Sequence, residues 1–220
     1  MKLHRLSGIG TIVLLSILLI NPLKSENSKD LASLRSTNSC PNCDLRGANL
    51  NGLTLIGADM RGAQLEGAKL EHTNLWRANL TGANLSRANL TGANLRDTNL
   101  SDANFENALM LGANLKFTTA TGANFENANL KMANLLSAEL QKTNMRKADL
   151  SRAYLGNADL RTSILTGAML DGTSLKGANL EGLDLTDINL SSTQLKNVLL
   201  KGAKFCRTLT PWGQEDRDCE

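Results

Sequence analysis

The chain has 220 residues and is 41% hydrophobic but only 3% aromatic. The length allows one or two ordinary domains, yet a globular core of that size would use more Phe, Tyr and Trp. Its formal charge of +3 comes from three basic residues in the first 25, so it is not the footprint of a nucleic-acid-binding protein.

The N-terminus differs from everything after it. Lys2 and Arg5 precede an apolar run from about Ile9 to Ile20. That run falls short of the ~20 residues that span a bilayer, and a basic start before a short apolar stretch reads as a secretory signal. Residues 1–25 are assigned to it. Ala-x-Ala is absent, and Leu23-Lys24-Ser25 is the nearest match to a cleavage site. An uncleaved anchor is the alternative. All 21 acidic residues come after Ser25, whereas Lys2, Arg5 and Lys24 of the 24 basic ones precede Glu26. The mature chain is therefore close to neutral.

Residues 26–43 form a second segment. Ser28 is placed to cap a short helix, with Leu31 and Leu34 turned toward the repeats on its C-terminal side. The segment closes on Cys40-Pro41-Asn42-Cys43.

From 44 to 205 the chain repeats every five residues, as in TGANLSRANLTGANL at 81–95. Five matches neither the helical period of 3.6 nor the strand period of 2. The chain must change direction once per pentapeptide. Every multiple of five from Leu45 to Phe205 is a centre, nearly always Leu, with Met60, Phe105, Met110, Phe125 and Met145 as apolar substitutes. Ala120 is the one small centre. Two residues earlier sits a small residue, mostly Ala, sometimes Thr73, Thr98, Thr143 or Thr173. Gly is common two residues after a centre, as at Gly82 and Gly92, where a tight corner needs backbone freedom. Asn before the centre, as at Asn79, Asn84 and Asn89, suits hydrogen bonding to local backbone in turns. No pentapeptide buries its own leucine, so neighbours must stack.

The pattern A(N/D)LXX resembles the pentapeptide-repeat family across 44–205. The resemblance implies an all-β solenoid, a right-handed four-sided β-helix with twenty residues per coil. Centres and small residues would point inward and the other three positions outward. About eight coils at ~4.8 Å give a rod ~38 Å long. The ends resemble those of exported cyanobacterial members, with a Cys-Pro-x-Cys opening and a Phe-Cys-x-Thr segment before Pro-x-Gly. Residues 26–43 and 206–220 are then an N-terminal and a C-terminal cap. A rod of that length keeps its ends beyond the ~7 Å reach of a disulfide. The resemblance thus implies Cys206 with Cys219, and Cys40 with Cys43 if either pair is oxidised. The signal makes an oxidising compartment plausible.

Several functions fit poorly. Cys40-x-x-Cys43 has the dithiol spacing of thiol oxidoreductases, but it abuts a solenoid rather than a strand-to-helix turn. Two thiols at each end and His72 in the third coil assemble no four-ligand metal set, and no cofactor motif is present. Acidic residues are scattered; Glu106 and Glu126 on neighbouring coils are the nearest to a carboxylate pair. Some family members protect DNA gyrase by imitating duplex DNA. Mimicry needs a strongly negative rod, whereas basic residues outnumber acidic ones in these repeats.

A non-enzymatic structural or protein-interaction module remains, exported to periplasm or thylakoid lumen, its partner unidentified. Twenty residues per coil would put centres 55, 75, 95, 115, 135 and 155 on one side. Its outward residues include Ile56, Trp76, Phe117, Leu136 and Tyr154, and no other side carries outward aromatics in the repeat body. Trp76 and Phe117 are the expected anchors, with Arg96 on the coil between them.

Overall fold

The computed structural model describes residues 22–219, with side chains from Ser28 onward; most of the expected leader lies outside these. Helix α1 spans Pro22–Thr37, succeeded by a solenoid and a two-stranded hairpin of β1, Thr208–Thr210, and β2, Gly213–Glu215. Among the described residues no helix is long and apolar enough to cross a membrane.

The solenoid is built from one repeated set of bonds. Residue n−1, where n is a centre, pairs in parallel with the residue twenty further on, from Ser39↔Asp59 to Asn189↔Leu209, with breaks above Ile164 and Met169. The ladder thus starts one pentapeptide before the expected boundary at 44, because Cys40 itself occupies a centre. Centres donate their N–H to the next coil, as Leu45 does to the Gln64 carbonyl at 2.8 Å, except at Leu165 and Leu170. A centre's own carbonyl takes the N–H three residues on, as from Ala48 at 3.0 Å. The third residue of each such turn has positive φ, as a type II turn requires. From 42 to 207 only Ser192 departs from this among the described corners. Glycine is therefore sufficient but not necessary: Arg77, Phe117, Met132 and Lys142 all hold φ near +58°. Where a side chain occupies the corner below, glycine is also needed for space. A Cβ on Gly92 would come within 2.6 Å of His72 Nδ1.

Centres and small residues fill the inside. Leu65 through Leu100 are fully buried at every centre, each contributing about 1.5–3 kcal/mol before entropy. Phe105 and Phe125 stack inside with ring centroids 5.0 Å apart. Phe125 comes directly after the Ala120 repeat, so one coil pairs its smallest centre with its largest. Buried threonines satisfy their hydroxyls on carbonyls of centres: Thr73 Oγ1 donates to Leu50 and Thr98 Oγ1 to Leu75, both at 2.8 Å.

The ends differ from the body. Helix α1 begins at Pro22, six residues before Ser28, so Ser28 lies within the helix and does not cap it. Proline suits a first helical position, where its missing N–H is not needed. Asn38, at φ 55°, closes the helix by donating its N–H to Leu34 at 2.9 Å. Leu34 is buried and Leu31 packs against the core. Asp44 has no coil below it; its N–H goes to Asp30 Oδ2 at 2.7 Å. The C-terminal end repeats that device. Phe205 N–H donates to Asp218 Oδ2 at 2.8 Å and Arg207 N–H to Asp216 Oδ1 at 2.9 Å. Strand β2 folds back antiparallel on β1. Disulfides join Cys40 to Cys43 and Cys206 to Cys219, with Cα atoms 5.5 and 4.8 Å apart.

Candidate docking face

The side centred on Leu75, Leu95, Leu115 and Leu135 presents Asn74, Asn94, Asn114 and Asn134 as one paired column, continued by Tyr154. Each asparagine is held by its own turn. Its Oδ1 accepts the N–H two residues on, as Asn74 does from Trp76 at 3.2 Å. In the middle of the column Nδ2 also donates to the asparagine below: Asn94 to Asn74 at 2.9 Å and Asn114 to Asn94 at 3.1 Å. Local turn bonding expected for these asparagines is thus present, and the ladder between coils is an addition. Amides whose bonds are already made internally cost less to cover than unpaired ones.

The expected residues divide between the corner and the flat of this side. Ile56, Trp76, Phe117 and Leu136 lie along the corner that comes after the face, and Tyr154 on the flat. Phe117 is 43% exposed and Tyr154 58%. Trp76 is instead half-buried. Its indole N–H donates to Asp97 Oδ2 at 2.9 Å, and the Arg77 guanidinium lies 4.6 Å from its ring centre. Tryptophan seeks such a partner when its nitrogen leaves water, so Trp76 is more a strut than an open anchor. Arg96 does lie between the two rings. Its Nε is 3.3 Å from Asp97 and its guanidinium 5.3 Å from the Phe117 centroid. Lys116 approaches the same ring at 5.8 Å. Leu136 is half-buried, leaning toward Gly156, where an added Cβ would meet its Cδ1 at 3.0 Å.

Three exposed residues escape a search restricted to one side's own pentapeptides. Leu111 and Met132 stand at the corner that leads into the face, and Leu109 beside it on the preceding side. In sequence they belong to the preceding repeat; in space they frame the same surface. The readable signal is an apolar residue at an outward position, whichever side its centre is counted on.

Other candidates come out as ordinary surface. Glu106 accepts from Asn107 Nδ2 at 3.2 Å, and Glu126 from Asn144 Nδ2 at 3.0 Å. Cys40 and Cys43 are both buried. Among the described residues no cluster of His, Cys, Asp or Glu is arranged to hold a metal. Carboxyls with lowered pKa values lie elsewhere, three of them in a recurring Asp-x-Arg arrangement. Arg46, Arg61 and Arg161 each grip the aspartate two residues back, with Nε–Oδ1 distances of 2.8, 2.8 and 3.0 Å. These forks hold the Asp44, Asp59 and Asp159 carboxyls below the usual carboxylate range.

Comparison with known proteins agrees with this architecture. The profile described as Pentapeptide repeats matches in eight copies, over segments running from 39–77 to 143–182. Among solved structures, a trypsin-treated form of QnrB1, a plasmid-mediated fluoroquinolone resistance protein, is 24% identical. It aligns with 76% of this chain and 87% of its own, at a TM-score of 0.62. A second trypsin-treated QnrB1 variant is 23% identical over 76% and 90%, at 0.52. A pentapeptide repeat protein from the Arabidopsis thaliana thylakoid lumen is 31% identical over 44% of this chain and 68% of its own, at 0.44. The solved relatives are right-handed quadrilateral β-helices. A search of curated proteins finds no match.

Proposed function

The chain belongs to the pentapeptide-repeat family, and from that premise we propose that it is a non-enzymatic protein-interaction module. In this reading it is an exported rod of about eight coils, closed at both ends by α1 and the hairpin. It docks a partner protein on the face carrying Phe117 and Tyr154. One observation carries the proposal. Exposed Ile56, Leu111, Phe117, Met132 and Tyr154, with half-buried Leu136, gather on one face and its two corners. Aromatic and Met side chains beside amides that partly satisfy one another are the composition of an interface centre.

Export to periplasm or thylakoid lumen rests on the basic and apolar N-terminus and on two disulfides, which persist in oxidising compartments. Burial of Cys40 and Cys43 favours a structural bond over an exchanging dithiol, because exchange needs access to a sulfur. The mixed charge of the outer surface disfavours duplex mimicry.

The test places a photo-crosslinking amino acid at Tyr154, or at Glu139 on the adjacent side, in the native compartment. Position 154 should trap one discrete protein that position 139 does not, and Phe117→Ser should abolish it with circular dichroism unchanged. Equal trapping at both positions removes this face as the docking site. Mass spectrometry of the same native protein should find a mature start between roughly 21 and 30; an intact Met1 in membranes means an anchor instead.

A further inference from the structure

We infer that the docking face takes an acidic, apolar-rich segment of its partner protein, an inference that rests on the docking reading proposed for this face. From 71 to 177 the face and its corners carry Arg77, Arg96, Lys116, Lys131, Arg152 and Lys176 against Glu71, Asp97 and Asp171. The flat itself, Asn94, Asn114, Asn134 and Tyr154, carries no charge. Asp97 is already engaged, taking the Trp76 indole N–H and the Arg96 guanidinium. Among the described residues Lys116, Lys131 and Arg152 make no ion pair. At the same height the opposite side mixes signs, with Asp102, Glu106 and Glu126 near Lys142, Arg146 and Lys147. The side next after the docking face carries Glu139 and Asp159. A net cationic rim around an apolar centre is therefore particular to this face.

The cations are also held in place. Arg96 lies over Phe117, Arg77 over Trp76, and Lys116 approaches Phe117 from its own corner. A guanidinium steadied on a ring keeps its fork of donors ready for a carboxylate, with less rotamer freedom left to lose. An excess of one sign on the rim speeds encounter and selects the partner, while the apolar centre holds it. A protein segment fits better than a nucleic acid. Single strands stack their bases on open aromatic faces, and the Trp76 and Phe117 rings are already engaged by cations.

The experiment selects random twelve-residue peptides displayed on phage against the folded full chain. Synthetic versions of the enriched peptides are then measured by fluorescence anisotropy. Expected are Asp and Glu interleaved with Leu or Phe. Affinity should fall about tenfold or more in Arg96→Gln/Lys116→Gln and stay unchanged in Arg146→Gln/Lys147→Gln, with binding weakening as salt rises. A twenty-nucleotide single-stranded DNA should bind the wild type far more weakly than the peptides. Peptides that are apolar but not acidic, yet still lost in Phe117→Ser/Tyr154→Ser, overturn the acidic inference and leave the docking face standing. Binding insensitive to Phe117→Ser/Tyr154→Ser overturns both. DNA binding as tight as the peptides, or equal loss in the two charge variants, overturns the inference in favour of general cationic attraction.

Discussion

At the scale of single residues the fold asks for two unlike things, an inward leucine and an outward left-handed corner. Leu90 is fully buried and Arg87 is an exposed corner residue three positions away. Leu90→Ala should cost about 2–5 kcal/mol through the cavity it leaves. Leu90→Lys should unfold the stack, since the axis offers an ammonium neither water nor a partner. Arg87→Ala should stay within about 0.5 kcal/mol, as surface changes usually do. Urea denaturation of the three variants checks the order; equal midpoints for Leu90→Lys and Arg87→Ala refute the inward assignment. The corners give a second prediction with opposite signs. Lys142 holds φ 58°, a conformation that costs a residue with a Cβ roughly 1–2 kcal/mol. Lys142→Gly should therefore raise the melting temperature despite glycine's entropy. Gly92→Ala should lower it by an amount equivalent to about 1 kcal/mol or more, because Ala at positive φ is strained and its methyl meets His72.

At the scale of elements the ends matter more than any one coil. A solenoid end exposes donors whose acceptors would sit on the next coil. Asp30, Asp216 and Asp218 lend carboxylate oxygens where that coil is missing. The hairpin is held by the bond between Cys206 and Cys219, separated by 13 positions. Closing such a loop is worth roughly 3 kcal/mol in the chain-entropy model. Cys206→Ser/Cys219→Ser should accordingly fray the C-terminal hairpin, and Asp218→Ala should do so more mildly, by about 1 kcal/mol. Hydrogen exchange reads this directly. Amides at 205–216 should lose protection while those near Leu90 keep theirs. Uniform loss along the rod means that the end and the body melt as one unit.

Across the whole molecule, charge is arranged side by side rather than as a net value. Asp44, Asp59 and Asp159 are each held below the usual carboxylate range, first by the hydrogen bonds of their arginine forks. Such carboxyls bind protons less readily folded than unfolded, which favours the rod above the unfolded value of about 3.9. That contribution is lost as pH falls through the depressed folded values. Stability measured by urea should thus be flat from pH 7 to 5 and decline below about 4. The decline should be shallower in Asp159→Asn. Solvent screens these exposed pairs, so the effect of any one is small, and a decline beginning near neutrality would point to other groups.

The five-residue period alone determined which residues are inside. Leu or its substitutes at the centres and Ala two before turn inward, buried except near the C-terminal end at Leu195 and Leu200, because a chain turning every five residues leaves those positions no other direction. The same register placed Ile56, Trp76, Phe117, Leu136 and Tyr154 on one side, and the asparagines at turns. What the period does not contain is contact between coils. Only the stacked structure decided that Trp76 turns its nitrogen to Asp97 and becomes half-buried. It also decided that Leu111 and Met132 join a face their own repeats do not belong to, and that asparagines bond asparagines twenty residues away. The helix was underestimated for a related reason. Ser28 has the chemistry of a cap, but a proline six residues earlier can begin the same helix, and local chemistry does not choose between them. A repeat legislates for the inside of a solenoid, where every position has one neighbour set; outside, the neighbours come from the next coil and the next corner, and there the tertiary structure decides.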